Sequence, residues 1–220
     1  MSATPLRRLS VVDELAATLR QRILDADLPA GAALREIELA DTYDVSRHTL
    51  RAAFRTLAAE GLVRVEPNRG ASVARLEPGE LRSLFELRTA LELEAAHLAL
   101  ERHGGRLPSE VHGAVDRLAA TCRRSRPSWR AVADAHALVH GAIVRAAESP
   151  RIESAYVLLA TELRLFLVQL RPVWSLQRMV DHHVELVAGL ERDGTDVLRR
   201  HLRDGTDAVL AGAARAARDT

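Results

Sequence analysis

The chain has 220 residues, of which 47% are apolar but only 3% aromatic, so a core must rest on Leu, Ala and Val, and Ala and Leu favour helix. Its net charge of +1 selects no partner, and its apolar runs are too often interrupted by Arg, Glu or His to span a bilayer. The opening MSATPLRRLS lacks the apolar stretch of a signal peptide, and the single cysteine, Cys122, cannot form an internal disulfide, so a cytoplasmic protein is expected.

In chain order, Ser10 can cap a helix running to about Ala26, with Val11, Leu15, Leu19, Ile23 and Leu24 on its inner face. LPAGAAL reads as a Pro/Gly turn, and Glu36 opens a short helix, EIELADTY. After a turn at Asp44-Val45, a helix from about Ser46 to Glu60 carries Arg47, Arg51 and Arg55 on one face. Leu50, Ala53, Phe54 and Leu57 lie on the other. Gly61 stops that helix, and LVRVE and ASVARL alternate around PNRG as a hairpin. Helix, helix, turn, helix, hairpin is the order of a winged helix-turn-helix over residues 1–76.

Between Ser46 and Arg75 six arginines stand against two glutamates, a local excess of four and a candidate phosphate footprint. In a helix-turn-helix the second helix enters the major groove by its N-terminal residues, here Ser46, Arg47, His48 and Thr49. Arginine can bind guanine O6 and N7 bidentately, while Arg51 and Arg55 suit phosphates. The tip Asn68-Arg69-Gly70 could carry a cation into the neighbouring minor groove. Periodicity alone equally allows an amphipathic helix with a solvated arginine face.

From Pro78 the pattern is helical throughout, with helices near 78–103, 108–123, 128–147, 150–170, 176–192 and 195–217. Breaks fall at HGGRLP, SRPS, ESP, RPVWS and RDG. Residues 77–220 thus read as an all-α antiparallel bundle of about six helices, and the whole chain as mainly α. His136 and His140, at i and i+4, can share one metal ion, and His183 and His201 come from two later helices. Imidazoles suit zinc, nickel or a related divalent transition metal; with nine histidines in the chain, such a pair also arises by chance. Arg88 and Arg164 sit in strongly apolar helices, where an unpaired guanidinium is costly. A bound carboxylate, or a buried Glu such as Glu92, Glu94 or Glu162, would satisfy either one. His182 projects about 100° from His183 on a helix and is expected outside the cluster.

LREIELADTYDVSRHTLRAAFRTLAAEGLVRVEPNRGASV resembles the winged-helix domain of the GntR family of bacterial transcriptional regulators. The family patterns L-x-E-x-x-L-A, V-S-R-T-P-V-R-x-A-L, L-x-x-E-G-L-V and R-G-x-x-V are met by Leu34, Glu36, Leu39, Ala40, Val45, Ser46, Arg47, Arg51, Leu57, Glu60, Gly61, Leu62, Val63, Arg69, Gly70 and Val73. His48, Thr49, Leu50 and Phe54 depart from it. The resemblance implies that Ser46, Arg47, Thr49 and Arg51 read or clamp an operator, with Arg69 and Gly70 in the wing. Arg35, at the head of the short helix, joins this DNA-binding set.

Residues 80–210 are similar to the FCD ligand-binding domain of the FadR subfamily, in LFELRTALELEAAHLAL, LVHGAIVRAAESPRI and HHVELVAGLERDG. Such domains commonly hold a divalent metal on one Asp and three His, and with it a small carboxylate effector. On that likeness His140 and His183 occupy two His positions, His136 stands where Asp is usual, and His201 falls about one turn early. The implied protein is a homodimeric, ligand-responsive regulator, a repressor, binding a pseudo-palindromic operator in double-stranded DNA. Its small organic acid effector would meet Arg88 and Arg164. The competing expectations are a metal-dependent enzyme acting on a small carboxylic acid and a regulator that senses the metal itself. No nucleophile motif or phosphate loop supports the enzyme.

Overall fold

A computed structural model describes residues 10–66 and 69–216. The chain divides into two compact units at Arg75/Leu76. No helix among the described residues is long and apolar enough to cross a membrane.

The first unit opens with α1 (Val11–Leu24). The Ser10 hydroxyl accepts from the Asp13 N–H, and the Asp13 carboxylate accepts from the Ser10 N–H, a reciprocal cap. Leu15, Leu19, Ile23 and Leu24 are buried, but Val11, on the first turn, stays 59% exposed. The helix ends before Ala26, which turns left-handed at φ 55°. The LPAGAAL turn contains a two-residue strand, β1 (Ala33–Leu34), too short to show any alternation. Next come α2 (Glu36–Thr42) and α3 (Arg47–Ala59).

α3 is capped by Ser46, whose Oγ accepts from the Thr49 N–H at 3.0 Å. It ends at Gly61 (φ 75°), where Leu62 N–H reaches Leu57 O and Gly61 N–H reaches Ala58 O, a Schellman closure. Leu50, Ala53, Phe54 and Leu57 are all buried, which fixes the rotation of α3 and turns its arginines to solvent. β2 (Val63–Glu66) and β3 (Gly70–Val73) pair antiparallel, Val63 opposite Val73 and Glu66 opposite Gly70; the sheet order is β1-β3-β2. Gly70, at φ 86°, sits where an L side chain would be strained.

The second unit is wholly helical among its described residues: α4 (Pro78–Arg102), α5 (Ser109–Cys122), α6 (Trp129–Ala146), α7 (Pro150–Val157), α8 (Ala160–Leu170), α9 (Leu176–Asp193) and α10 (Asp196–Ala216). Ser128 and Ser175 cap α6 and α9. The helix expected over 150–170 is two. A tight Leu159 N–H to Tyr156 O turn breaks it, leaving Leu158 81% exposed and Leu159 buried. No Gly or Pro marks that break. Leu, Val and Ala fill the core, as the scarcity of aromatics requires.

Candidate functional site

The exposed face of α3 carries Arg47, His48, Arg51 and Arg55. Arg51 Nε–H donates to both oxygens of Glu36, at 3.0 and 2.9 Å, and Arg47 Nη2 reaches the same carboxylate at 3.4 Å. The hydrogen bond from Arg51 holds the Glu36 pKa below the usual carboxylate range. Glu36, at the first turn of α2, therefore ties the two cations of the neighbouring helix to one point. Ser46 and Thr49 share a hydroxyl–hydroxyl bond of 2.8 Å at the cap, so both are partly committed to starting the helix. Arg35 and Arg69 are exposed, each paired locally, with Glu38 at 2.9 Å and Glu66 at 3.4 Å. Gly70 begins β3 beside Arg69. Asn68 lies outside the described residues.

In the helical unit α6 supplies His136 and His140, α9 supplies His183 and α10 supplies His201, all buried. The ligating atoms of His136, His140 and His183 lie within 4.8 Å of one another. The ring of His201 packs 4.7 Å from His183 and 5.2 Å from His140, alongside this trio rather than within it.

Two hydrogen bonds set the tautomers. His140 Nδ1–H donates to the Glu92 carboxylate of α4 at 2.7 Å, and His183 Nδ1–H donates to the Met179 carbonyl at 2.6 Å. Both Nε2 atoms then carry lone pairs, and they face each other at 3.2 Å. Two lone pairs at that distance repel unless a cation lies between them. Nitrogens bound roughly 2.0–2.1 Å from one ion, at octahedral or tetrahedral angles, stand about 2.9–3.4 Å apart. The residues fit a divalent metal.

Burial, and then the neighbouring imidazoles His183 and His140, push His136 well below its ordinary pKa. Burial and His140 do the same to His183, and burial and His183 to His201. Burial also lowers His140, outweighing the pull of Glu92. The rings are thus neutral, as ligands must be. Burial alone would raise Glu92, but Arg88 and His140 beside it bring its pKa down to about 2. A carboxylate held on the far nitrogen of a ligating histidine is a common feature of metal sites.

A cavity of about 200 Å³ adjoins the trio at His136; Arg88, Arg145, Glu153, Tyr156 and Arg164 also line it. Arg88 is buried, and its Nε–H donates to Glu92 at 2.6 Å, so the glutamate alternative for its partner is realised. Arg164 does not enter the bundle interior as expected. Its side chain is 40% exposed and paired with Asp134 at 3.0 Å at the edge of the cavity. Trp129 and Trp174 are buried.

Three residues were not singled out for these roles from sequence. Glu36 and Glu92 act on partners in other helices, and no spacing rule reports them. His182 stacks on His201 at 4.1 Å; its adjacency to His183 was the available signal.

Comparison with known proteins agrees with this architecture. The family described as bacterial regulatory proteins, gntR family, matches residues 11–73, and the FCD domain matches residues 83–208. The chain is 28% identical, over 97% of its length and 94% of the relative's, to a protein of Paenarthrobacter nicotinovorans described as a probable transcriptional repressor of a D-xylose utilization operon. A solved structure described as a GntR transcriptional regulator from Rhodococcus sp. RHA1 superposes with a TM-score of 0.62 at 27% identity, covering 91% of this chain and 97% of that one. A GntR family member from Pseudomonas syringae gives a TM-score of 0.53 at 25% identity, over 95% and 89% of the two chains.

Proposed function

We propose how this regulator works from the premise that the chain belongs to the gntR family of bacterial regulatory proteins and carries an FCD domain. It is a transcriptional regulator and not an enzyme. Its helical unit holds a divalent transition metal, zinc or nickel, on His136, His140 and His183, and His201, packed beside them, is drawn in as a fourth ligand when the ion binds. A small organic acid occupies the adjoining cavity. Acid binding in the helical units of a homodimer releases two winged helices from a pseudo-palindromic operator, so the protein acts as a cytoplasmic repressor.

The observation that carries this reading is the pair of facing Nε2 lone pairs of His140 and His183, 3.2 Å apart, grouped with His136, which itself lines a cavity bordered by three arginines. When bound, the ion supplies positive charge and open coordination positions for a carboxylate. The protein's own groups do the rest. Glu92 and the Met179 carbonyl hold the two rings in the ligating tautomer, and Glu92 also keeps Arg88 fixed at the cavity wall. Arg164 and Arg145 offer further donors to an acid, and the apolar wall of Val144, Leu163 and Leu167 excludes water around its carbon chain.

In the first unit, Arg47 meets a base edge, and Arg51 and Arg55 meet phosphates. Ser46, His48 and Thr49 are at the leading end of α3, Arg35 lies at the start of α2, and Asn68, Arg69 and Gly70 are at the wing. Regulation requires the acid to bind one arrangement of the dimer better, by about 1–3 kcal/mol.

The test is a thermal-shift screen of small carboxylates with and without zinc or nickel. Acids that raise the melting temperature only in the presence of metal are then added to a complex with a duplex selected from a random pool. Metal-dependent stabilisation together with release of the duplex is expected. Stabilisation by acids that is indifferent to metal would remove the metal from the effector site.

A further inference from the structure

Beside the four buried histidines stands a fifth, and its surroundings differ from theirs. The His182 side chain is 20% exposed, whereas His136, His140, His183 and His201 are at 7% or below. Its ring is stacked on His201 at 4.1 Å and 20°, and is held edge-on by Trp174 at 4.7 Å. Its Nε2 faces the Asp204 carboxylate at 3.4 Å. That carboxylate keeps the proton on Nε2 and leaves Nδ1 with a lone pair. Nδ1 of His182 is buried without a hydrogen-bond partner, and so is Nδ1 of His201. Two unsatisfied buried nitrogens on stacked rings are costly unless a ligand sometimes meets them.

On its outer side His182 borders a surface depression lined also by Asp181, Glu185 and Arg178. Arg178 is drawn over the Trp174 ring, 4.9 Å from its centroid. The depression shares no lining residue with the cavity at His136.

We propose that His182 is the outer station through which a metal ion exchanges between solvent and the buried histidines, an inference that rests on the metal reading above. Asp181, Glu185 and Asp204 draw a cation to the depression. The His182 and His201 rings lie 4.1 Å apart centroid to centroid, so an ion leaving the edge of one imidazole meets the next within one ring spacing. The ion therefore passes from His182 to His201 without being stripped of all ligands in an apolar interior. Entry here also leaves the acid's cavity undisturbed, so metal can exchange while an acid is bound.

Zinc is the probe. Wild-type protein is loaded with zinc, the bound amount is measured by elemental analysis, and release into excess chromophoric chelator is followed by absorbance. His182→Phe keeps a ring against Trp174 and His201 but offers no nitrogen. Its zinc content should match wild type while uptake and release both slow by roughly tenfold. Asp204→Asn, at an exposed position, should slow both by less. Wild-type rates in His182→Phe overturn the proposal. So does loss of bound zinc in that variant, which would make His182 a resident ligand. If His182→Phe does not fold by circular dichroism, Asp204→Asn decides, and an unchanged rate there overturns the proposal. Wild-type protein that takes up no zinc overturns the metal reading itself, and this inference with it.

Discussion

Each unit contains an arginine that bonds a glutamate through Nε, at 2.9 Å for Arg51–Glu36 and 2.6 Å for Arg88–Glu92, yet the surroundings are opposite. The Arg51 side chain is 56% exposed; Arg88 and Glu92 are at 2% and 0%. In water the first pair is a loose tether that phosphate or a base edge can replace. In the bundle core the second pair is shut away from water beside the Tyr156 hydroxyl, and its glutamate also fixes the tautomer of His140. The same chemistry therefore serves exchange at one place and fixed geometry at the other.

The largest effect should come from breaking the buried pair. Glu92→Ala leaves Arg88 uncompensated and removes the acceptor of His140, and should cost about 3–5 kcal/mol of unfolding free energy by denaturant titration. A loss too small to measure would erase the contrast between the two pairs. Acid should act on the same region in the metal-free protein. His136, His183 and His201 have folded pKa values well below that of a free imidazole, so below about pH 6.5 the unfolded chain binds protons that the folded chain does not. Their stabilising contribution is complete above that pH and falls as pH drops, by about 1.4 kcal/mol per pH unit for each ring. Excess zinc should oppose this loss, because protons and metal compete for the same nitrogens. A flat denaturation midpoint between pH 7 and 5.5 would mean that the rings are not held neutral.

On the exposed side the effects should be smaller and visible in DNA binding rather than folding. Arg47→Ala should cost about 1–3 kcal/mol of discrimination between a selected duplex and one mutated at the contacted base, measured by fluorescence anisotropy at fixed salt. Equal weakening on both duplexes would make Arg47 a phosphate contact.

How far these sites could be read in advance depended on how local their causes are. Ser10, Ser46, Ser128 and Ser175 mark helix starts because a cap bonds only three residues ahead. His136 and His140 fall together because one helical turn brings them together. The division between α7 and α8 was illegible, since its cause is the tertiary choice to bury Leu159 and leave Leu158 outside. β1 was illegible for a different reason: a two-residue strand exists only through its pairing with β3. Glu92 could be named as a partner for Arg88, four residues away on α4, but not as the anchor of His140, 48 residues away on α6. Arg164 lines the cavity with Arg88, but its pairing with Asp134, 30 residues away on α6, has no local cause that a spacing rule could report.

The smallest expected effect on folding belongs to Glu36→Gln, and it is the sharpest test of the contrast. Glu36 lies on α2 and takes bonds from Arg47 and Arg51 on α3, so a structural tether would move the denaturation midpoint when cut. If solvent replaces those bonds freely, the midpoint stays within error, because each arginine keeps its hydration. DNA binding should change in two directions at once. Removing one negative charge from the reading face should strengthen binding to a random duplex by roughly a few-fold at low salt. Discrimination between selected and random duplexes should fall, since Arg47 and Arg51 lose the carboxylate that orients them. A shifted midpoint with unchanged discrimination would instead place Glu36–Arg51 in the same class as Glu92–Arg88, a pair that holds the fold and does not trade partners.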